Sequence, residues 1–179
     1  LPFRAKRLGV EVVLYQNFAD FFPFYKKVSY IHDVLFLTHP QFYTWKERLY
    51  FAPLKFLTHC SDFVITVSES EKKRLIVTNY ASSEKIDVVY HGVNAIFKPL
   101  EEHKSEIINK VIKQYKLPEK FILFVGRLNV RKNVEKLIYA FKLIKADIPL
   151  VIVGQTDWKS HDYKKLVDKL ELQEKVFFL

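Results

Sequence analysis

Short runs of β-branched and aromatic residues recur along this chain, separated by longer amphipathic segments. The runs cover residues 10–15, 28–31, 62–67, 86–90, 121–125, 150–153 and 176–179. They are almost continuously apolar, whereas a strand with one face in water alternates polar and apolar residues. Continuous runs predict strands buried on both faces, in parallel sheets. Parallel neighbours need crossover connections of a dozen or more residues, and most of the intervening segments supply them with helical period. The expected fold class is α/β, with Rossmann-like, doubly wound parallel sheets.

Local signals refine this. A helix is expected over 44–59, interrupted or kinked near Pro53. Ser68 with Glu71 three residues on reads as a capping box for a helix through about Asn79. Lys104 to Tyr115 and His161 to Leu170 also read as helical. A helix over 134–145 carries Val134, Leu137, Ile138, Phe141 and Ile144 on one core face. The stretch 93–104 has no period, so two units are expected, residues 1–94 and 95–179. The chain opens within an apparent helix end and closes on a strand with no helix to cover it. Uncovered strands would expose apolar faces, so further sequence is expected on both sides and both sheet halves should be incomplete.

Composition narrows the function classes. The 179 residues are 49% hydrophobic and 27% charged, the balance of a globular protein with a core. No stretch has the roughly 18–20 apolar residues of a membrane-spanning helix, and the first residues lack the pattern of a signal peptide. The single cysteine, Cys60, excludes an intrachain disulfide and any multi-cysteine metal site. The net charge of +9 fits a solvated lysine-rich surface, nucleic acid, an anionic membrane or a phosphorylated ligand. Lysines are spread over the helices and no nucleic-acid motif occurs, so nucleic acid is not the expected partner. Trp45, Tyr50 and Phe56 read as core or interface, and Ser68 as a cap rather than a nucleophile.

The most informative segment follows the run at 121–125. Gly126 permits a tight turn, Arg127, Arg131 and Lys132 crowd three cations together, and Asn133 is suited to cap the helix from Val134. A strand, a basic loop and a helix N-terminus make an anion site or, more blandly, a solvated turn. The helix end contributes about 0.3–1 kcal/mol to an exposed anion. A cation about 4 Å from a phosphate contributes ~4 kcal/mol before desolvation, at an effective dielectric near 20. The cations therefore dominate. The segment has neither the P-loop nor the Gly-x-Gly-x-x-Gly spacing. A second candidate, His32-Asp33, follows the run at 28–31, also at the carboxyl end of a strand. By itself such a pair is more often a structural loop pair. The two candidates sit one in each unit and could face one another across a cleft.

Taken in order, the motifs resemble family 4 glycosyltransferases. They are His32-Asp33, then Ser61-Asp62-Phe63-Val64-Ile65-Thr66-Val67-Ser68-Glu69, then Val88-Val89-Tyr90-His91-Gly92-Val93-Asn94 with Phe97-Lys98-Pro99. Phe124 to Asn133 and Leu150-Val151-Ile152-Val153-Gly154 complete the series. The resemblance implies the GT-B architecture of two Rossmann-like domains and retaining transfer of a sugar from a nucleoside-diphosphate donor, GDP-mannose being a candidate. It makes residues 1–94 the second half of the acceptor-side domain, and 95–179 a linker with the first half of the donor-binding domain. It also makes Arg127 and Lys132 the residues that hold the donor diphosphate, and His32 the histidine near the reacting centre. Asp33 would orient its loop. Gly126 and Gly154 match glycines that let backbone approach the donor, and Arg131 and Asn133 complete the substrate-binding set.

No metal and no cofactor are implied. The implied partners are the donor, a glycan or lipid-linked acceptor of polysaccharide biosynthesis and, given the charge, an anionic membrane touched peripherally from the cytoplasm. Two departures stand out. The family's N-terminal Gly-rich loop and its C-terminal Glu-x7-Glu motif are not in this sequence, so the chain by itself is expected to be inactive. Residues 90–92 read Tyr-His-Gly where Pro-Asn-Gly is commoner. The competing readings are a GT-B epimerase or phosphorylase, and a non-catalytic basic module that binds nucleic acid or a membrane surface.

Overall fold

Parallel pairing organises both halves of the chain in the computed structural model, which describes residues 2–144, 147–156 and 161–179. The chain divides into two units, Leu1–Asn94 and Ala95–Leu179. In the first, β1 (Val12–Gln16), β2 (Lys26–Ile31), β3 (Phe63–Thr66) and β4 (Ile86–Val88) form a sheet in sequential order, every neighbouring pair parallel. Helix α1 (Pro2–Arg7) precedes it. Helices α2 (Leu35–Thr38), α3 (Trp45–Phe51) and α4 (Leu54–His59) connect β2 to β3, and α5 (Glu69–Val77) connects β3 to β4. In the second unit α6 (Ser105–Tyr115) precedes a parallel sheet of β5 (Ile122–Val125), β6 (Leu150–Val153) and β7 (Val176–Phe178). Helix α7 (Val134–Leu143) links β5 to β6, and α8 (Tyr163–Lys169) links β6 to β7. The α/β class and parallel sheets are those expected from the apolar runs.

Each unit has its own core. Ile31, Val34, Leu54, Val64, Leu75 and Ile86 are nearly inaccessible in the first. In the second, α7 and α8 deliver Val134, Ile138, Phe141, Tyr163 and Val167 to Leu150, Ile152 and Val176 of the sheet. Burial on both faces holds at the central strand β6, where Leu150, Val151 and Ile152 are fully covered. It fails at the edge strands: Leu14 is 65% exposed on β1 and Val125 is 69% exposed on β5. An edge strand has a neighbour on one side only, so less of the sheet and its helices reaches across it.

Helix boundaries follow capping chemistry. Thr44 caps α3 through a full capping box with Glu47, and Pro53 separates α3 from α4. Helix α5 ends in a Schellman motif, with Tyr80 N–H on the Leu75 carbonyl and Asn79 N–H on that of Ile76. Asn79 takes the left-handed conformation usually given to glycine, at φ 56°. Three sequence expectations need correction. Helix α7 stops at Leu143, and Ile144 is extended and 48% exposed because the chain must turn back there to reach β6. The capping box at Ser68 is only half made, since the Glu71 side chain turns elsewhere. Trp45, Tyr50 and Phe56 lie at the surface, which removes the core half of their core-or-interface reading and leaves the interface half.

Candidate functional site

All strands of a parallel sheet end on one edge, where the free loops can be shaped for ligands without disturbing the core. In the second unit that edge carries the segment after β5. Gly126 N–H donates to the Val153 carbonyl at 3.0 Å and Leu128 N–H to that of Gln155 at 2.9 Å. Leu128 also bridges to Thr156 in parallel. Buried Leu128 and Asn129 thus anchor the loop between two exposed cations, Arg127 on one side and Arg131 on the other. Asn129 Oδ1 accepts from Arg131 N–H at 3.0 Å, and its carbonyl accepts from Lys132 N–H at 2.8 Å. Those bonds wind Val130–Lys132 into one 3-10 turn.

Asn133 does not cap α7 as its type suggested. Its side chain makes no cap bond; it supplies a left-handed residue at φ 55° between the 3-10 turn and the helix, a conformation asparagine tolerates better than most. Asn129 instead caps the 3-10 turn, and with two asparagines flanking the same basic run their types alone do not tell which one caps. Without a side-chain cap, the first amides of α7 have no acceptor in the helix itself. Arg127 and Lys132 are exposed, and among the described residues neither side chain is paired with a carboxylate. The loop therefore offers cations and backbone donors together, which suits a multiply charged anion.

Gly154 sits beside this loop at the end of β6. A Cβ there would lie 1.9 Å from the Gly126 carbonyl oxygen, so the two backbones meet where no side chain fits. Next to them opens a cavity of about 800 Å³ whose walls include Leu128, Gly154, Thr156, His161 and Lys164. The last three were not singled out in the sequence. They follow β6 on the same edge, and strand order was the signal that could have found them.

In the first unit His32 leaves β2 half-buried, and the exposed Asp33 accepts the Leu35 N–H on its carboxylate at 3.1 Å. That closes a local turn, so Asp33 shapes its own loop. Val34 is fully buried, and its N–H donates to Glu71 Oε1 at 2.8 Å. Glu71, 3% exposed, also pairs with Arg74. Burial raises its pKa above the ordinary value, against the opposing pull of the Val34 amide and the Arg74 charge. This explains the half-made capping box. A buried amide needs an acceptor, and the carboxylate that would have returned to Ser68 serves the loop after His32 instead. The Gln16 side-chain amide lies 3.4 Å from His32 Nε2. Among the described residues, no group of three His, Cys, Asp or Glu is placed to hold a metal ion.

Residues 105–179, from the start of α6 through the basic loop to the last strand, match the family described as glycosyl transferases group 1. This segment belongs to that family. Similarity to its named relatives extends further along the chain. An O-antigen chain mannosyltransferase, RfbU of Salmonella typhimurium, is 32% identical over 150 residues, which is 83% of this chain and 38% of the relative. A Campylobacter jejuni N-acetylgalactosaminyltransferase, named for a diphospho-undecaprenol-linked acceptor, is 30% identical over 119 residues, 66% of this chain and 30% of the relative. The chain thus spans about a third of the length of these curated relatives. Among solved structures, HepE of Anabaena in complex with UDP superposes with a TM-score of 0.64 at 22% identity. That match covers 87% of this chain and 42% of HepE. At that identity the likeness is one of fold, the GT-B type with Rossmann-like parallel sheets.

Proposed function

We propose that this glycosyl transferase chain is part of a retaining enzyme that moves a sugar from a nucleoside-diphosphate donor to a glycan or lipid-linked acceptor. The observation that carries the reading is the loop from Gly126 to Asn133. Its two exposed cations, Arg127 and Lys132, which have no carboxylate partner among the described residues, stand beside the start of α7 at the carboxyl edge of a parallel sheet. When the bond from the sugar to the β-phosphate breaks, negative charge grows on the departing diphosphate. Fixed cations stabilise that charge without a metal or other cofactor. Arg131 supplements the positive potential. Gly126 and Gly154 are assigned to let backbone approach the donor, and Asn133 sets the entry into α7. His32, held in its loop by Asp33, is assigned to the reacting sugar.

GDP-mannose is the donor to be tried first, because relatives of this chain are named mannosyltransferases. The UDP seen with HepE makes a UDP-sugar the comparison. The diphospho-undecaprenol in the Campylobacter name supports a lipid-linked acceptor. A peripheral, cytoplasmic-side contact with anionic membrane is part of the proposal; the +9 charge and the exposed Trp45 and Tyr50 near Lys46 and Arg48 support the membrane contact. Titration calorimetry of this chain with GDP and UDP tests the diphosphate site. Binding should be at least ten-fold weaker in Lys132→Ala, and equal binding by that variant would remove Lys132 from the site.

A further inference from the structure

Two imidazoles share the carboxyl edge of the first sheet. His32 follows β2, and His91 follows β4 beyond β3. Their rings stack, with centroids 5.5 Å apart and planes inclined by 26°. Tyr30, the penultimate residue of β2, joins both. Its ring meets His32 edge-on at 4.6 Å, and its hydroxyl lies 3.2 Å from His91 Nδ1. The Gln16 amide approaches His32 Nε2 at 3.4 Å. A half-exposed histidine on a turn would ordinarily sample several rotamers. Here strand ends from β1 and β2 and the loop after β4 converge on one ring.

We propose that His91 is a positioning residue: stacked on His32 and tied to Tyr30, it fixes the face that His32 presents at the sheet edge. The proposal rests on the assignment of His32 to the reacting sugar. It also gives a physical meaning to Tyr90-His91-Gly92, since the commoner asparagine at position 91 has no ring to stack. His91 is itself exposed, so its replacement should leave the core of the unit untouched. Misplacing a reacting group by about 1 Å can cost roughly a hundred-fold in rate. Losing one of three contacts on His32 is expected to cost about ten-fold.

The test has two arms. In this chain, the imidazole C–H resonances of His32 should move in His91→Asn, and move less in Tyr30→Phe, which keeps its ring against His32 but frees His91. Unmoved His32 resonances in both variants would sink the proposal, whatever the activity. In the catalytically complete enzyme, His91→Asn should lower kcat about ten-fold with the donor KM within two-fold, and His91→Phe should recover most of the loss. A raised KM at unchanged kcat would overturn positioning in favour of direct substrate contact. If the wild-type enzyme transfers no sugar while the His32 resonances still move, the transferase reading fails and the ring contact stands.

Discussion

Lys132 and Arg127 differ from the other cations of the chain in position, not in chemistry. They sit in a loop whose backbone is fixed by buried Leu128 and Asn129, so the points from which their side chains extend are set before any ligand arrives. In the complete enzyme Lys132→Ala should lower kcat by about 10²–10³, the cost of removing one stabilising donor from a transition state. The thermal midpoint should not change, because the side chain is exposed. Glu71 is the opposite case, a buried charge serving one amide. Glu71→Ala strands the Val34 N–H and should destabilise by about 1–3 kcal/mol. Glu71→Gln keeps an acceptor and removes the charge. Because the Glu71 pKa is raised in the fold, its ionised form costs stability once pH climbs through the folded value. Glu71→Gln should therefore compare best with wild type in denaturant melts at high pH. Asp62 has the other sign: the Lys27 amide and Lys26 lower its pKa. Its contribution is complete above the ordinary carboxylate value near pH 4 and is lost as pH falls through the lower folded value. Asp62→Asn should flatten that acid limb of the melts. None of these partners was legible in the sequence, since Asp62 and Glu71 meet groups about 36 positions away.

At the scale of elements the sequence was far more informative. Continuous apolar runs and helical periods located the strands and long helices, because both patterns are local. Errors gathered at the ends, where three-dimensional demands override pattern. Ile144 keeps the helical spacing but lies past the point where the chain turns toward β6. Trp45 and Tyr50 read as core or interface, and α3 presents them outward on a unit that fills its core with Leu54, Leu75 and Val64, which leaves the interface alternative. The capping of α3 is a local device. Thr44 accepts the Glu47 N–H, and Glu47 accepts the Thr44 N–H at 2.7 Å. Thr44→Ala should cost about 1 kcal/mol in a denaturant melt, with amide exchange speeding up first at Glu47, whose N–H loses its acceptor.

For the whole molecule, charge is the property least tied to the fold. At pH 7 the chain carries a formal +9, and a peripheral membrane contact would draw on it. Binding to vesicles rich in anionic lipid should weaken steeply from about 0.1 M to about 1 M salt, as the screening length falls from roughly 10 Å to 3 Å. Binding that ignores salt would leave only the apolar side chains to explain it. The candidate site was legible in part. The basic loop and His32 could be read because they follow strands directly, whereas the cavity wall at Thr156, His161 and Lys164 exists only once β6 lies beside β5 and β7. The same adjacency brings Gly154 against the Gly126 carbonyl. That obstacle is a backbone atom, present whatever residue occupies position 126. A lineage that acquires alanine at 154 therefore has no compensating substitution at 126 open to it. A search for second-site suppressors of Gly154→Ala should return true revertants and nothing from that position.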